Sequence, residues 1–561
     1  MNGDYDLRIL TTNDIHGCYF DSTYVDSSLK KSLLAVNYYV DSVRSAAGKD
    51  NVILLDAGDF LQGDNAAYYF NYVDTLTPHV FPRMVRYMDY DAVAMGNHDI
   101  ETGHPVYDRI KAQFKEYKIP LLAGNAIRND NGKPYFQTYT TLRKGGLKVA
   151  VLGYENPNIN AWLDESLWSG MSFVSLIPLV QEDVDKVRAK EKPQVVIVMV
   201  HSGVGNGDGS VYESQGLDLY NSLTGVDFLI CSHDHSAAVF ENDDICLIDS
   251  GSHARNVGYG EIKLSYRKGE LVSRELSASL IPVRWEKADP EMKKAFQKDY
   301  EAVKAFTLRE VGTLENDLWT RDAYRGMCDY INLVHTVSIA CAPAQVSFAA
   351  PLTYNGRVKA GTLVFNDLFT IYPFENQLFV VSMSGKEIKD YLEYSYARWI
   401  RTVSSPDDHV LNMAPRGDLR TGQQGWSFVG RSYNFDSAAG LVYTVDITKP
   451  AGERVNIISM ADGAPFEEDG VYPVAMTSYR ASGGGDLMRE GACIDTDRID
   501  ERVVARYPEI RNLIYDYLLK EGAIESAKIG DKSVIGEWRF VPEDLARKCL
   551  DRDMTLMFGR P

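Results

Sequence analysis

The sequence predicts a layered α/β domain followed by a second domain of α+β type. In the first half of the chain, short apolar runs alternate with stretches in which apolar residues recur every three or four positions. This alternation is typical of strands followed by helices that cover a sheet. Beyond about residue 312 the pattern changes to aromatic-rich strands and glycine clusters. A length of 561 residues is sufficient for two large domains with separate cores.

The strands of the first domain are predicted from seven apolar runs. These runs are residues 7–10, 52–55, 92–95, 149–152, 195–200, 228–231 and 245–248. A helix is predicted over residues 28–46, because its apolar residues follow the helical period. Each run is far too short to cross a bilayer, so no transmembrane segment is expected.

Changes in amino-acid composition along the chain predict its domain boundaries. The first domain is assigned to residues 1–287, and the charged, helix-favouring stretch that follows predicts a solvated linker helix over residues 288–312. The second domain is assigned to residues 313–525, with aromatic strands near residues 378–383 and 440–447. Residues 526–561 are predicted to form a tail, whose packing the sequence does not specify.

Charge and cysteine content exclude some classes of protein. The chain has 78 acidic and 59 basic residues, a formal charge of -19, which argues against a partner that is a nucleic-acid polymer or an anionic membrane. Its seven cysteines show no CxxC spacing, so they indicate neither a disulfide framework nor a thiolate zinc site. The first residues contain no apolar signal region, which fits either a cytoplasmic protein or an exported one whose signal has been removed.

Polar side chains with metal-binding chemistry follow five of the predicted strands. Because the carboxyl ends of strands in an open α/β sheet meet at one edge, we expect these side chains to converge there. They are Asp14 and His16 after the first run, Asp59 after the second, Asn97, His98 and Glu101 after the third, His201 after the fifth, and His233 and His235 after the sixth.

Each of these residues taken singly has an ordinary structural explanation, such as a turn cap or a hydrogen-bonded histidine. Taken together they are hard to explain in that way, because five of the chain's ten histidines, or six if His253 is counted, fall at or near strand ends. The set contains only nitrogen and oxygen donors, which suits two divalent ions such as zinc, manganese or iron bridged by one carboxylate. The remaining histidines are predicted to be structural: His79, His104, His253, His335 and His409.

The ordered blocks NDIHG, DAGD, GNHD, HSG and HDH resemble the calcineurin-like metallophosphoesterases. They are most similar to the nucleotidase branch, which comprises 5'-nucleotidases, UDP-sugar hydrolases and 2',3'-cyclic-nucleotide phosphodiesterases. The resemblance implies a four-layer calcineurin-like sandwich followed by an α+β nucleotidase domain of C-terminal type.

The resemblance also implies a role for each side chain of the set. It implies that one metal is held by Asp14, His16, Asp59 and His235, and that Asp59 bridges to a second metal completed by Asn97, His201 and His233. His98 matches the family's catalytic histidine. Glu101 matches its acidic partner, at a position where many members carry Asp.

In the second domain the resemblance implies a pocket for the nucleoside. The stretch IYPFENQL supplies Phe374 and Asn376, and TSYRASGGGDL supplies Tyr479 and Asp486. Two aromatic rings suit this task, because stacking on a base is worth roughly 1–3 kcal/mol. Tyr372 competes with Phe374 for the stacking role. Where typical 5'-nucleotidases carry an arginine-bearing glycine block, this chain has a single clear Arg357.

The activity implied is metal-dependent hydrolysis of nucleotide phosphoesters, as part of nucleotide catabolism. The blocks AAPLTYNGR, NFD and YRASGGG, together with His235, resemble the 2',3'-cyclic phosphodiesterase/3'-nucleotidase group more than the 5'-nucleotidases. UDP-sugar hydrolysis, another ester hydrolysis on the same scaffold, and a catalytically inactive nucleotide-binding surface protein stay open as alternatives. The resemblance favours export to a bacterial periplasm or cell surface over a cytoplasmic location. The sequence does not specify the oligomeric state.

Overall fold

The computed structural model describes residues 2–417 and 424–559. The chain divides into two compact units, Met1–Thr307 and Leu308–Pro561, and each unit is considered by itself below. Within the described residues, no helix is both long enough and apolar enough to span a bilayer.

The described part of the first unit contains fourteen strands and ten α-helices. The strands are β1 (Gly3–Thr12), β2 (Val52–Asp56), β3 (Ala92–Ala94), β4 (Leu121–Leu122), β5 (Ala126–Arg128), β6 (Tyr139–Lys144), β7 (Leu147–Tyr154), β8 (Met171–Phe173), β9 (Val195–Val200), β10 (Phe228–Cys231), β11 (Ala237–Glu241), β12 (Cys246–Ser250), β13 (Asn256–Arg267) and β14 (Glu270–Pro282). The helices are α1 (Leu33–Ala47), α2 (Asn65–Tyr68), α3 (Val80–Met88), α4 (Asn97–Glu101), α5 (His104–Tyr117), α6 (Ile159–Trp162), α7 (Leu176–Glu191), α8 (Gly216–Ser222), α9 (Pro290–Ala295) and α10 (Gln297–Thr307).

Two six-stranded sheets form the centre of the first unit. Their strand orders are β14-β13-β1-β2-β3-β4 and β11-β12-β10-β9-β7-β6. Within the sheets β1 to β4 run parallel, as do β7, β9, β10 and β12, while β6, β11, β13 and β14 pair antiparallel with their neighbours.

One apolar core lies between the two sheets and contains side chains of both, such as Ile9, Ile53, Ile197 and Ile230. Two further cores lie between each sheet and its helices. The order of layers is therefore helix, sheet, sheet, helix, and the predicted four-layer sandwich is confirmed.

Helix α1 illustrates why the predicted elements form where they do. The hydroxyl of Ser32 accepts a hydrogen bond from the backbone N–H of Ala35 and so caps the first turn. The helix ends at Gly48, whose φ of 86° lies in the left-handed region that favours glycine. Leu33, Val36 and Val40 of its apolar stripe are fully buried in the core on the sheet side.

The segment predicted as a solvated linker helix instead forms α9 and α10 on the first unit. The Asp289 carboxylate caps α9 by accepting from two backbone N–H groups. Met292 and Val303 are fully buried in the core beneath the helices. Arg83 donates two hydrogen bonds to Asp299, at 2.6 and 2.9 Å. The lysines that suggested a solvated helix lie on the exposed faces of α9 and α10, whose opposite faces are apolar and buried.

The second unit contains fifteen strands and eight α-helices among its described residues. The strands are β15 (Glu310–Leu314), β16 (Leu318–Trp319), β17 (Val346–Ala349), β18 (Arg357–Val358), β19 (Gly361–Val364), β20 (Gln377–Ser384), β21 (Met413–Gly417), β22 (Gln424–Phe428), β23 (Ser437–Ala439), β24 (Leu441–Asp446), β25 (Val455–Met460), β26 (Val471–Thr477), β27 (Val503–Glu509), β28 (Ala523–Ile524) and β29 (Gly536–Val541). The helices are α11 (Asp329–Cys341), α12 (Phe365–Ile371), α13 (Gly385–Trp399), α14 (Ser478–Ala481), α15 (Ile510–Glu521), α16 (Ser526–Ile529), α17 (Lys532–Ile535) and α18 (Glu543–Phe558).

A mixed five-stranded sheet, in the order β23-β17-β26-β20-β27, forms the main layer of the second unit. The buried aromatic side chains of α13, such as Tyr391 and Trp399, belong to its core. This combination of a mixed sheet with helices agrees with the predicted α+β class.

The segment predicted as a tail is an integral part of the second unit. Strand β29 pairs in parallel with β24 along its whole length. Helix α18 buries Cys549 and Met554 in the same core as Trp538. The carboxylate of Asp553 accepts hydrogen bonds from the backbone N–H groups of Val410 and Leu411. The partner strand of this segment is some ninety residues earlier in the chain, so local sequence pattern does not reveal the pairing.

Candidate metal centre

The polar side chains predicted to converge do so at one edge of the two central sheets. They follow the carboxyl ends of β1, β2, β3, β9 and β10. Five of the seven predicted metal ligands have φ between 48° and 82°, namely Asp14, His16, Asp59, His233 and His235. Non-glycine residues adopt this left-handed conformation rarely and at an energetic cost, and clusters of such residues occur at functional sites.

A first group of donors consists of Asp14, His16 and His235. The Nε2 atoms of His16 and His235 face each other at 2.9 Å. The Asp14 Oδ1 atom lies 3.8 Å from Nε2 of His16 and 3.6 Å from Nε2 of His235. Two imidazole nitrogens and a carboxylate oxygen aimed at one point form a set that could hold a divalent cation.

A second group surrounds Asp59. Its Oδ2 atom lies 3.1 Å from Nε2 of His201, which lies 3.1 Å from Oδ1 of Asn97. Asn97 Oδ1 also lies 2.9 Å from Nδ1 of His233. Asp14, Asp59 and His201 themselves present donor atoms within 4.8 Å of one another, so the two groups adjoin at the aspartates.

Neighbouring groups fix which ring nitrogen each histidine presents. His201 Nδ1 donates to the carbonyl of Ala57 at 2.8 Å, which leaves Nε2 to face Asp59. His16 Nδ1 donates to the carbonyl of Gln62 at 3.2 Å, which leaves Nε2 to face His235. Bonds of this kind from the second nitrogen of a ligating histidine are the usual means of orienting it towards a metal.

Asp99 holds two of the site-bearing loops together. Its buried carboxylate accepts hydrogen bonds from the backbone N–H groups of Gly96, Asp59, Phe60 and Leu61, at 2.8–2.9 Å. Gly96 is needed at this junction, because a Cβ atom there would lie 2.2 Å from the Asp59 carboxylate. The loop after β2 and the start of α4 are thus fixed against each other.

The electrostatics of the site favour cations. Burial, and then the neighbouring Asp59 carboxylate, raise the pKa of Asp14 to about 7, against the pull of His201. Two carboxylates this close and this deeply buried repel each other, and a divalent cation between them removes that repulsion. The donor set contains imidazole, carboxylate and amide groups and no thiolate, so it fits zinc, manganese or iron.

His98 and Glu101 form a hydrogen-bonded pair beside the metal-binding groups. His98 Nδ1 donates to Glu101 Oε2 at 2.6 Å, and the His98 backbone N–H donates to Asp59 Oδ1 at 2.9 Å. Burial opposes charge on His98, but Asp59 and Glu101 outweigh it and raise the pKa of His98 to about 9. The pair can therefore supply a proton or positive charge next to the candidate metal ligands. The extra methylene of glutamate does not prevent the contact.

Three residues at the site were not predicted as functional. Gln62 bonds to both His16 and Glu101. Trp162 stacks on the His233 ring, with ring centroids 5.1 Å apart. His253, predicted to be structural, lies 5.1 Å from the His16 ring and 5.7 Å from the His235 ring. Only His253 had a sequence signal, since it follows β12; nothing in the local sequence distinguishes Gln62 or Trp162.

The predicted nucleoside-binding residues lie in the second unit, and a hydrogen bond connects the segment of Phe374 and Asn376 to that of Tyr479. Phe374 and Asn376 lie between α12 and β20, and the Ser478 hydroxyl, next to Tyr479, accepts from the Gln377 backbone N–H. The Phe374 ring is partly exposed and meets Tyr433 edge-on, with centroids 6.4 Å apart. Tyr372 is only 2% exposed, which leaves Phe374 as the ring available for stacking.

Arg480, next to Tyr479, ties the segments of this region together. Its buried guanidinium forms two hydrogen bonds with Asp436, at 2.8 and 3.0 Å. It also donates to the carbonyls of Tyr433 and Gly484. The Tyr479 ring packs where a Cβ on Gly484 would stand, 2.4 Å away, so the glycine run makes room for it.

The two charged residues predicted to bind substrate have partners of their own. Arg357 lies on β18, forms an ion pair with Asp317, and stacks over Trp319 at 4.9 Å. Asp486 is exposed and lies 3.2 Å from Arg398. The contacts of Arg357 are with a different group of residues from those of Phe374 and Tyr479.

Comparison with protein families identifies two matching domains. Residues 7–237 match the family described as calcineurin-like phosphoesterase. Residues 310–490 match the family described as 5'-nucleotidase, C-terminal domain. Both matches fall where the sequence blocks suggested them.

Curated relatives cover most of this chain at low identity. A 2',3'-cyclic-nucleotide 2'-phosphodiesterase/3'-nucleotidase of Haemophilus influenzae is 23% identical, over 96% of this chain and 88% of its own length. The enzyme of the same name from Yersinia enterocolitica is 22% identical, over 85% of this chain and 81% of its own. A trifunctional nucleotide phosphoesterase of Bacillus subtilis is 22% identical over 92% of this chain, which spans only 38% of that longer protein.

Solved structures share the fold over nearly the whole chain. The 5'-nucleotidase precursor of Thermus thermophilus matches with a TM-score of 0.61 at 20% identity, over 96% of this chain and 100% of its own. The sulfate thiohydrolase SoxB of the same organism matches with a TM-score of 0.57 at 17% identity, over 96% and 97%. At this identity the likeness shows the fold alone.

Proposed function

The chain belongs to the calcineurin-like phosphoesterases that carry a C-terminal 5'-nucleotidase domain, and on that premise we propose that it hydrolyses nucleotide phosphoesters at a centre of two divalent cations. The observation that carries the proposal is the convergence of seven nitrogen- and oxygen-bearing side chains from five strand ends, with the His98–Glu101 pair beside them.

We assign one cation to Asp14, His16 and His235, and the other to Asn97, His201 and His233, with Asp59 as the ligand common to both. When bound, two such cations neutralise phosphate oxygens and supply an activated water. The chain's own part is to hold the donors at fixed positions. The Asp99 carboxylate does so for Asp59 and the start of α4, and the Ala57 carbonyl does so for His201.

His98 is assigned the role of acid or charge stabiliser for the departing oxygen. Its Nδ1 proton is held by Glu101 at 2.6 Å, so Nε2 is the atom free to act on substrate. A positively charged imidazole at this position stabilises the alkoxide that develops as the P–O bond breaks.

The second unit is assigned recognition of the nucleoside. Phe374 and Tyr479 offer aromatic faces, and Arg480, which follows Tyr479 in α14, donates to the Tyr433 carbonyl and so holds the segments of both tyrosines together. Stacking tolerates different bases, so we expect broad base specificity. Asn376 and Asp486 are proposed to bind polar groups of the nucleoside. Binding of substrate by Arg357 stays a prediction from the sequence.

Among nucleotides we propose 2',3'-cyclic phosphodiesters and 3'-monoesters as the preferred substrates. Two relatives that carry this activity in their names align over 81–88% of their own length. His235, whose Nε2 belongs to the first donor group, is the residue that suggested this branch from the sequence.

A substrate panel tests the proposal. Purified protein is assayed with 2',3'-cyclic AMP, 3'-AMP, 5'-AMP and UDP-glucose, each after chelation and after addition of zinc, manganese or iron. We expect cyclic and 3' esters to be cleaved fastest, activity to vanish on chelation, and manganese or zinc to restore it. Preference for 5'-AMP or UDP-glucose would replace the proposed substrate. No phosphoester cleavage with any metal would refute the function.

We also propose that the protein acts outside the cytoplasm, in a bacterial periplasm or at the cell surface. The proposal is supported by the Thermus thermophilus structural relative, whose name describes a precursor. Fractionation of the source cell, followed by immunodetection, tests the location, and a purely cytoplasmic signal would contradict it.

A further inference from the structure

Gln62 contacts both a candidate metal ligand, His16, and the acidic partner of His98, Glu101. It lies in the loop between β2 and α2 and is 4% exposed. Its backbone carbonyl accepts from Nδ1 of His16 at 3.2 Å. Its side-chain Nε2 donates to Glu101 Oε2 at 2.9 Å, the same oxygen that accepts from His98.

The position of Gln62 is itself rigidly fixed. The preceding residues, from Asp59 to Leu61, donate three backbone hydrogen bonds to the Asp99 carboxylate. The carbonyl of Leu61 accepts from the Asn71 side chain at 2.7 Å. The next residue, Gly63, has a φ of 114°, and a Cβ there would lie 2.9 Å from the His16 side chain. The loop therefore passes the site with little freedom to move.

Glutamate at position 101 needs such a support. It has one more rotatable bond than aspartate, so its carboxylate loses more conformational freedom when it is held under His98. A fixed amide donor offsets this cost, because hydrogen bonds to a charged carboxylate are stronger than those between neutral groups. Gln62 supplies that donor at the oxygen shared with His98.

We infer that Gln62 is a positioning residue for the reaction: its amide holds Glu101, and through it the His98 ring, in the orientation that acts on substrate. The inference rests on the proposed function of the His98–Glu101 pair. Gln62 touches neither substrate nor the reacting atoms in this role. Its effect is therefore expected on turnover and not on substrate binding.

The test uses Gln62→Leu, which keeps the bulk of the side chain and removes its donor. We expect kcat on the preferred nucleotide to fall by roughly 10–100-fold, as for other residues that orient a catalytic group. KM and metal content measured by mass spectrometry should stay at wild-type values. Gln62→Glu, which keeps the shape of the side chain, carries the same test if the leucine variant does not fold.

Gln181→Leu provides a matched control. Gln181 also donates its amide to a carboxylate, that of Asp185 at 2.8 Å, but on helix α7 away from the candidate ligands. The control should retain wild-type kcat. Wild-type kcat in Gln62→Leu, or a loss of metal that matches the loss of activity, would overturn the inference.

A double-mutant cycle identifies the route of the effect. In a Glu101→Ala background, Gln62→Leu should cost no more than about twofold in kcat, because the group it holds is gone. An equal loss in both backgrounds would show that Gln62 acts through His16 or the fold, and would overturn the inference. An inactive wild-type protein would instead refute the proposed function, so the two failures are distinct.

Discussion

Asp59 occupies the point where the two donor groups meet. Its carboxylate is fully buried, lies 3.1 Å from His201, and accepts from the His98 backbone. Neighbouring positive groups, His201 foremost, hold the pKa of Asp59 well below its usual range despite its burial. A permanently charged carboxylate between two cation sites is what a bridging ligand requires.

We expect Asp59→Ala to lose both metals and to reduce hydrolysis to the background rate, because neither donor set is complete without it. Metal content by mass spectrometry and activity on the same sample measure this. Asp208→Ala, at an exposed aspartate, is the control and should retain both. Full metal content with normal activity in the Asp59 variant would exclude the bridging role.

His98→Ala separates chemistry from metal binding. Loss of a general acid lowers turnover by typically 10²–10⁴-fold, so we expect a fall of that order with metal content unchanged. His104→Ala is the matched control, since the ring nitrogens of His104 contact Asp108, the Ser169 carbonyl and the Tyr135 hydroxyl, none of which belongs to the candidate metal centre. If the His98 variant loses metal, His98 is a ligand and not the acid.

At the scale of elements, the sequence predicted the first unit well because its signals are local. The seven predicted apolar runs fall in β1, β2, β3, β7, β9, β10 and β12, and five of them are followed by the candidate ligands. Strands β4, β13 and β14 of the same central sheets were not predicted. However, the local pattern of apolar and charged residues does not show which elements pack against each other. The lysines of α9 and α10 suggested a solvated linker, whereas Met292 and Val303 beneath them are fully buried.

The same limit explains which site residues the sequence did not reveal. Asp14, His201 and His233 are predictable from residue type and position after a strand. Gln62 and Trp162 have ordinary residue types, and only their tertiary contacts, with Glu101 and His233, distinguish them. A metal ligand can be predicted from its residue type and position. A residue that acts only by orienting another side chain cannot, because its residue type is ordinary.

Helix α18 shows that the last residues stabilise the second unit. The Asp553 carboxylate is fully buried and accepts from two backbone N–H groups and from His409. We expect Asp553→Ala to destabilise this unit by about 3 kcal/mol, because three donors lose their partner. Chemical denaturation measures the loss. Asp544→Ala, at an 89% exposed position on the same helix, should change stability by less than about 0.5 kcal/mol.

For the molecule as a whole, the acidic charge of -19 says little about the substrate. The candidate ligands include Asp14, Asp59 and four of the ten histidines at one sheet edge, so bound cations would create a local positive site within an acidic protein. Burial, and to a smaller extent repulsion from Asp59, raise the pKa of Asp14 to about 7, and bound cations favour its charged form. Metal and fold are therefore thermodynamically linked.

We expect saturating metal to raise the free energy of unfolding of the first unit by about 2.7 kcal/mol at 100 times the dissociation constant. Calorimetry with and without chelator measures this as an upward shift in Tm on metal addition. Asp59→Ala should show no such shift. An equal response in that variant would mean that the metal stabilises the protein from another site.

The facing nitrogens of His16 and His235 are 219 residues apart in the chain. Closing so long a loop has a cost in chain entropy. We therefore expect the contact between the two histidines to form only after the strands between them have paired. No fragment that ends before residue 235 can assemble the first donor group, and a partly folded chain has no high-affinity site to fill. Metal capture should therefore follow, and not precede, completion of both sheets. In refolding experiments, a metal-sensitive dye should report uptake no faster than the slowest phase in which β-sheet structure forms.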